Sequence, residues 1–196
     1  MDRILITGAL GQLGIEFIDH FKKLNSFVLA TDIKNPKEKL SCEFELANVL
    51  DKDKMDSLVK KYNINVIYHL VAILSANGEK DPFISWKLNM NSFQNIAQIS
   101  IENKIKKIFW PSSIAVFGTE SNLNFVSQNP LMNPTTIYGI TKLAGEKLME
   151  YYFNKFGLDI RSLRYPGIIP TKTVPGGGTT DYVIEMLNAA KKGNDY

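Results

Sequence analysis

Seven residues near the start, GALGQLG with glycines at 8, 11 and 14, constrain this chain more than any other stretch. A short apolar run, Arg3–Thr7 (RILIT), breaks into them. From Leu13 onward the apolar positions Leu13, Phe17, Ile18, Phe21 and Leu24 follow helical spacing. A second apolar run, Phe27–Thr31 (FVLAT), ends at Asp32. Strand, glycine turn, helix, strand and acid, in that order, predict a βαβ unit that binds a dinucleotide. Free N–H groups at a helix start can hold a pyrophosphate, and glycine lets the backbone come close to it. Asp32 stands 18 residues after Gly14, where a carboxylate accepts hydrogen bonds from the adenosine ribose hydroxyls. That carboxylate repels a 2′-phosphate, so the unit predicts NAD rather than NADP, a preference that Lys34 tempers. The spacing is GxxGxxG rather than GxGxxG, and the glycines gain their meaning from the flanking runs and from Asp32.

The alternation continues along the chain. Cys42–Leu46 reads as a short strand and Asp51–Tyr62 as a helix with Asp51 as its cap. Val66–Leu70 (VIYHL) reads as a buried strand, followed by the loop VAILSANGEK. Asp81-Pro82 opens a long helix to about Asn103, and Lys106–Pro111 is the next strand, leading into SSIAVFG. A polar loop, Glu120–Pro134, precedes a helix that holds Tyr138 and ends at Gly157. Asp159–Tyr165 is a last strand, followed by PGIIPTKTVPGGGTT and a closing helix from about Asp181 to Lys192. Repeated strand–helix alternation predicts an α/β fold, a doubly wound parallel sheet of Rossmann type with helices on both faces. Its ligands belong at the carboxyl ends of the strands, where Gly11, Asp32, Ala72, Ser112 and Tyr165 all fall.

The 196 residues fit one sizeable domain, and the net charge of +3 is spread along the sequence without a long basic run. That gives no footprint for nucleic acid. No apolar run reaches about 18 residues, so no membrane span is expected. Cys42 stands alone, so no intrachain disulfide forms, which suits a reducing cytoplasm. Two histidines and one cysteine cannot build a thiolate-rich zinc site, and no metal is expected.

Tyr138 and Lys142 are four residues apart, so on a helix they share a face. An ammonium one turn away favours the phenolate, which makes the pair a general acid/base for moving a proton on or off an alcohol. Alone, the same spacing fits a packed phenol and a solvated amine. Ser112 and Ser113 stand at a strand end, 26 and 25 residues before Tyr138, where a hydroxyl can donate to a substrate oxygen. Serines after strands also satisfy loop backbone. Asn89, a mediocre helix former inside a helix, either holds a backbone group or water near Lys142 or lies exposed, and is counted with the cofactor-binding residues.

With GxxGxxG, a strand-end Asp, SSIAVFG and YxxxK on one chain, the sequence resembles the extended short-chain dehydrogenase/reductase family. LSANGEKDP with Trp86, PSSIAVFG, and RSLRYPGIIP followed by PGGGTTDY narrow the resemblance to L-threonine 3-dehydrogenases of the short-chain, epimerase-like type. The resemblance implies NAD-dependent oxidation of the threonine C3 hydroxyl to 2-amino-3-ketobutyrate without metal. It also implies a homodimer joined through the helices beginning near Pro82 and Thr136. Gly8, Gly11, Gln12, Leu13 and Gly14 would line the pyrophosphate, Asp32 and Ile33 the ribose, and Leu70 and Ala72 the adenosine side. Lys142 would meet the nicotinamide ribose, and Tyr165, Pro166 and Ile168 would flank the nicotinamide. Tyr138 would be the acid/base with Ser113 or Ser112 as partner, and Ser75, Ser112, Tyr138, Thr179 and Thr180 would meet the substrate.

Three departures stand out. Asn48 replaces the family's usual Asp near the adenine, Val71 replaces a small residue, and the family continues well past Tyr196. Residues 1–166 are therefore expected to be the NAD-binding domain, and 167–196 the start of a substrate-binding region that is mostly absent. Two rival readings share the NAD domain: a nucleotide-sugar epimerase or dehydratase, and a non-catalytic NAD-binding module.

Overall fold

The computed structural model describes residues 2–118, 130–169, 172 and 181–195. Six parallel strands form the main sheet: β1 (Arg3–Thr7), β2 (Phe27–Asp32), β3 (Glu43–Leu46), β4 (Val66–His69), β5 (Lys107–Phe109) and β7 (Ile160–Arg161). Their spatial order is β3-β2-β1-β4-β5-β7, so the order reverses beside β1. In such sheets a ligand crevice opens at that reversal, outside the strands' carboxyl ends. The doubly wound α/β expectation holds.

The strands are apolar because both faces are covered. Along β1 the pleat sends Leu5 to one side and Ile4 and Ile6 to the other. Leu5 joins Leu29, Ile67 and Ile108 beneath α2 (Lys52–Lys61) and α5 (Ser92–Glu102), which contribute Met55, Leu58, Phe93 and Ile96. Ile4 and Ile6 join Val28, Ala30 and Val66 beneath Ile18 and Phe21 of α1 (Gln12–Lys23). Each such fully buried aliphatic side chain contributes about 1.5–3 kcal/mol relative to exposure.

Two expected elements are divided, and one expected loop holds a helical turn. The helix from Asp81 begins as α4 (Pro82–Trp86), capped where the Ile84 N–H donates to Asp81 Oδ1 at 2.9 Å. It passes through a π-helical turn at Lys87–Asn91 before becoming α5. The loop before it holds a single helical turn, α3 (Ser75–Gly78). The last strand splits into β7 and β8 (Arg164–Tyr165), and β8 pairs instead with β6 (Ser112–Ser113). The division does not interrupt the donor ladder, since the N–H groups of Ile108, Trp110 and Ser112 donate in turn to the carbonyls of Asp159, Arg161 and Leu163.

The helix α6 (Ile137–Phe156) carries Tyr138 and Lys142. Thr136 Oγ1 accepts from Gly139 N–H at 3.1 Å, and Glu79 Oε1 accepts from Ile137 N–H at 2.8 Å. Those contacts satisfy two of the free donors at its start. Gly157, at φ +67°, ends it in the left-handed conformation, as expected of a glycine there. A final helix, α7, spans Asp181–Lys191. Among the described residues no helix is long and apolar enough to cross a membrane.

Candidate active site

One cavity of about 1030 Å³ runs along the carboxyl ends of the strands. The glycine turn forms one end. Gly11 precedes α1 as its N-cap and offers no side-chain cap, so the first N–H groups of the helix are left to a ligand. Gly8 needs its own freedom, with φ at +65° and the backbone of Leu70 and Val71 about it. Gly14 is where helix and turn touch: a Cβ there would lie 2.4 Å from the Ala9 carbonyl oxygen. Asp32 closes the turn from outside, its Oδ2 accepting from Leu10 N–H at 3.1 Å and its Oδ1 from Lys34 N–H at 3.3 Å. Bare amides, close backbone approach and a carboxylate at the end of β2 fit a dinucleotide.

The structure brings most of the expected residues to this cavity. Gly8, Gly11, Gln12, Leu13, Gly14, Leu70, Ala72, Ser75, Ser112, Ser113, Tyr138, Lys142, Tyr165, Pro166 and Ile168 all line it. Asp32 stands at the turn rather than in the lining, and Ile33 is exposed. Thr179 and Thr180 lie outside the described residues. Asn89 is buried behind the wall: its Oδ1 accepts from Ile73 N–H at 2.8 Å, and its Nδ2 donates to Ile73 O and Thr141 Oγ1. Of the two alternatives for Asn89, a held backbone group is the one observed. Leu10, Ile73, Leu74, Asn77, Asp81, Ile84 and Asp181 also line the cavity and were not anticipated. Several follow β4, in the segment that read only as a loop.

The two serines part company. Ser112 Oγ donates to Glu146 Oε1 at 2.6 Å, and Arg164 holds both oxygens of that carboxylate at 2.9 and 2.8 Å. Burial raises the Glu146 carboxyl, but its bonds from Arg164 and Ser112 outweigh that and bring it below the usual range. Ser113 instead stands beside the Tyr138 phenol and favours its ionised form.

Lys142 departs from expectation. Its ammonium is buried and donates to Pro111 O at 2.7 Å, and burial pushes its pKa down to about 7. Burial likewise raises the Tyr138 phenol, and Ser113 only partly offsets it. The expected lowering of the phenol by Lys142 is not seen: Ser113 is the group that acts against desolvation at Tyr138. Beneath them, His69 is enclosed between Thr7 Oγ1 at 2.8 Å and Ser92 Oγ at 3.0 Å, and burial, with Lys142 nearby, takes it down to about 3.

The glycine turn, Ser113, Tyr138 and Lys142 thus share one cavity, with Asp32 at the turn beside it. Residues 4–195 match the NAD dependent epimerase/dehydratase family. The chain belongs to that family. It is 42% identical, over its whole length and 62% of the relative, to an uncharacterized epimerase/dehydratase of Staphylococcus saprophyticus. Among solved structures it resembles the holo form of a GalE-like L-threonine dehydrogenase from Cupriavidus necator, with 39% identity and a TM-score of 0.94. That match covers 99% of this chain and 64% of the other. It also resembles the L-threonine dehydrogenase of Clostridium difficile, at 42% identity and a TM-score of 0.91 over 97% of this chain and 61% of that one. The chain thus spans somewhat under two thirds of the length of these members of the family.

Proposed function

We propose that this chain carries the NAD-binding and proton-transfer part of a short-chain L-threonine 3-dehydrogenase, which oxidises the C3 hydroxyl of L-threonine to 2-amino-3-ketobutyrate. The observation that carries the reading is the placement of Ser113, Tyr138 and Lys142 on the cavity that begins at the glycine turn, in a fold about 40% identical to solved L-threonine dehydrogenases. In this reading Gly8, Gly11, Gln12, Leu13 and Gly14 hold the NAD pyrophosphate, Asp32 and Ile33 meet the adenosine ribose, and Leu70 and Ala72 lie on the adenosine side. Tyr165, Pro166 and Ile168 flank the nicotinamide. Asn89 contributes by holding the Ile73 backbone. Bound NAD supplies the two-electron acceptor.

The chain's own residues handle the proton. Ser113 donates to the substrate oxygen while Tyr138, as phenolate, accepts the hydroxyl proton. Lys142 steadies that phenolate electrostatically. Ser75, Thr179 and Thr180 meet the amino acid. Lys142 is the only Lys or Arg among the described lining residues. Residues 1–166 form the NAD-binding domain and 167–196 open the substrate-binding region. The partner is a second copy, joined through α4 and α6, where Phe83 is 86% exposed. The reaction belongs in the cytoplasm, where the Cys42 thiol stays reduced.

The family's own description favours a second reading, a nucleotide-sugar epimerase or dehydratase. Absorbance of NADH decides between them, with purified chain, NAD and L-threonine, and with L-serine and UDP-sugars as controls. NADH formed with threonine and lost in Tyr138→Phe supports the first reading. Conversion of a UDP-sugar supports the second. NAD binding without turnover, indifferent to Tyr138→Phe, leaves a cofactor-binding module.

A further inference from the structure

Lys142 is a buried cation seated on neutral groups. It is 2% exposed, and burial alone accounts for its shifted ionisation, with no carboxylate among the described residues within ion-pair reach. Its Nζ has two close partners, the Pro111 carbonyl at 2.7 Å and the Trp110 indole, whose ring centroid lies 4.2 Å away. The Tyr138 ring is next, at 5.4 Å. The other titratable groups about it are His69 at the end of β4, and Glu146 one turn along α6, which is engaged by Ser112 and Arg164.

Trp110 reaches this place through a gap made for it. It is 1% exposed, and its ring centroid lies 4.8 Å from that of Phe93 in α5. On its other side is α6 at Gly145, where a Cβ would lie 2.2 Å from the indole Cη2. Gly145 follows Lys142 by three residues and so shares its helix face. A glycine in mid-helix costs about 1 kcal/mol relative to alanine. The indole needs that space.

We propose that Trp110 is a positioning residue: admitted by Gly145, its indole face is the neutral seat that holds the Lys142 ammonium beside Tyr138. The inference rests on the acid/base reading of Tyr138 and Lys142 given above. A carboxylate in the same place would hold the lysine but cancel its charge. The indole attracts the ammonium through its quadrupole and carries no net charge, so the positive potential remains available to the phenolate. Pro111 O accepts from the same ammonium and is likewise without net charge.

The test reads Lys142 itself, in the chain without cofactor or substrate. Protein labelled with 13C at the lysine ε-carbons is titrated by NMR, and Lys142→Met identifies the resonance. The expected result is an ε-methylene signal moved upfield by the indole ring current. In Trp110→Leu that displacement disappears and the titration midpoint falls by about one pH unit. Trp110→Phe keeps an aromatic face and restores part of both. An ordinary chemical shift in the parent protein overturns the proposal, as does a midpoint that is the same with leucine as with tryptophan. If the leucine variant does not fold, the parent shift and its retention in Trp110→Phe decide. Because no turnover is measured, failure here is distinct from failure of the threonine assay.

Discussion

The Asn89 side chain brackets the backbone of Ile73, accepting from its N–H at 2.8 Å and donating to its carbonyl at 3.2 Å. One amide thus replaces the strand partner that Ile73 lacks after β4. The same Nδ2 lies 3.3 Å from Thr141 Oγ1, whose hydroxyl donates to the Tyr138 carbonyl at 2.8 Å. The cavity wall and the start of α6 are therefore tied through one residue of the π-helical turn.

Truncating that residue orphans both Ile73 groups. Asn89→Ala is expected to cost about 1–3 kcal/mol, the usual penalty for buried polar groups left without partners. Asn89→Asp keeps an acceptor for Ile73 N–H, loses both donations and adds a buried charge, so it should do no better. Urea unfolding midpoints check the order. The loop at Ile73 lines the cavity, so NAD affinity should fall with stability.

His69 makes stability depend on acid. Its folded pKa of about 3 lies below the unfolded value of 6.5, so between these limits the unfolded chain binds the extra proton. Its contribution is complete above pH 6.5 and lost as pH falls toward 3, at about 1.4 kcal/mol per unit. At pH 5 the loss is about 2 kcal/mol. Denaturant unfolding at pH 7 and pH 5 measures it, with His69→Gln as the variant whose slope should flatten. An equal slope in that variant would place the acid sensitivity elsewhere.

The glycines of the turn should separate stability from binding. An added Cβ at residue 14 meets the Ala9 backbone at 2.4 to 2.6 Å, which cannot move without opening the turn. Gly14→Ala is expected to destabilise by about 1–3 kcal/mol, as overpacking does. At residue 11 the nearest atom is Gly8 O at 3.2 Å, so the fold should accept alanine with a small adjustment. The methyl group then occupies the cavity. Gly11→Ala should keep Tm within a few degrees and weaken NAD binding at least about tenfold, or about 1.4 kcal/mol. Calorimetry and cofactor titration on both variants check the contrast.

What the sequence could reveal depended on whether the determining contact was local. The glycine turn and Asp32 belong to one βαβ unit, and Tyr138 and Lys142 share a helix face, so spacing alone placed them. Gly145 in mid-helix was a local sign of close approach, but its partner Trp110 lies 35 residues upstream and no period connects them. The Ser112–Glu146–Arg164 group likewise joins three separate elements. The π-helical turn at Lys87–Asn91 has no composition of its own, being a helix pattern with one extra residue per turn.

The adjacent serines were indistinguishable in sequence and are distinct in space. Ser112 donates to Glu146, which also holds Arg164, so its removal leaves the carboxylate paired. Ser112→Ala should therefore cost about 1 kcal/mol of stability, the net value of one hydrogen bond, and leave the phenol as it is. Ser113 lowers a phenol that burial has raised, so Ser113→Ala should move the Tyr138 ionisation to higher pH. Ultraviolet titration of each variant, with the Tyr138→Phe spectrum subtracted, reads that shift without any turnover. The same variants in the NADH assay should show activity surviving the first substitution and falling with the second. A Tyr138 titration that moves with Ser112 and ignores Ser113 would exchange their roles.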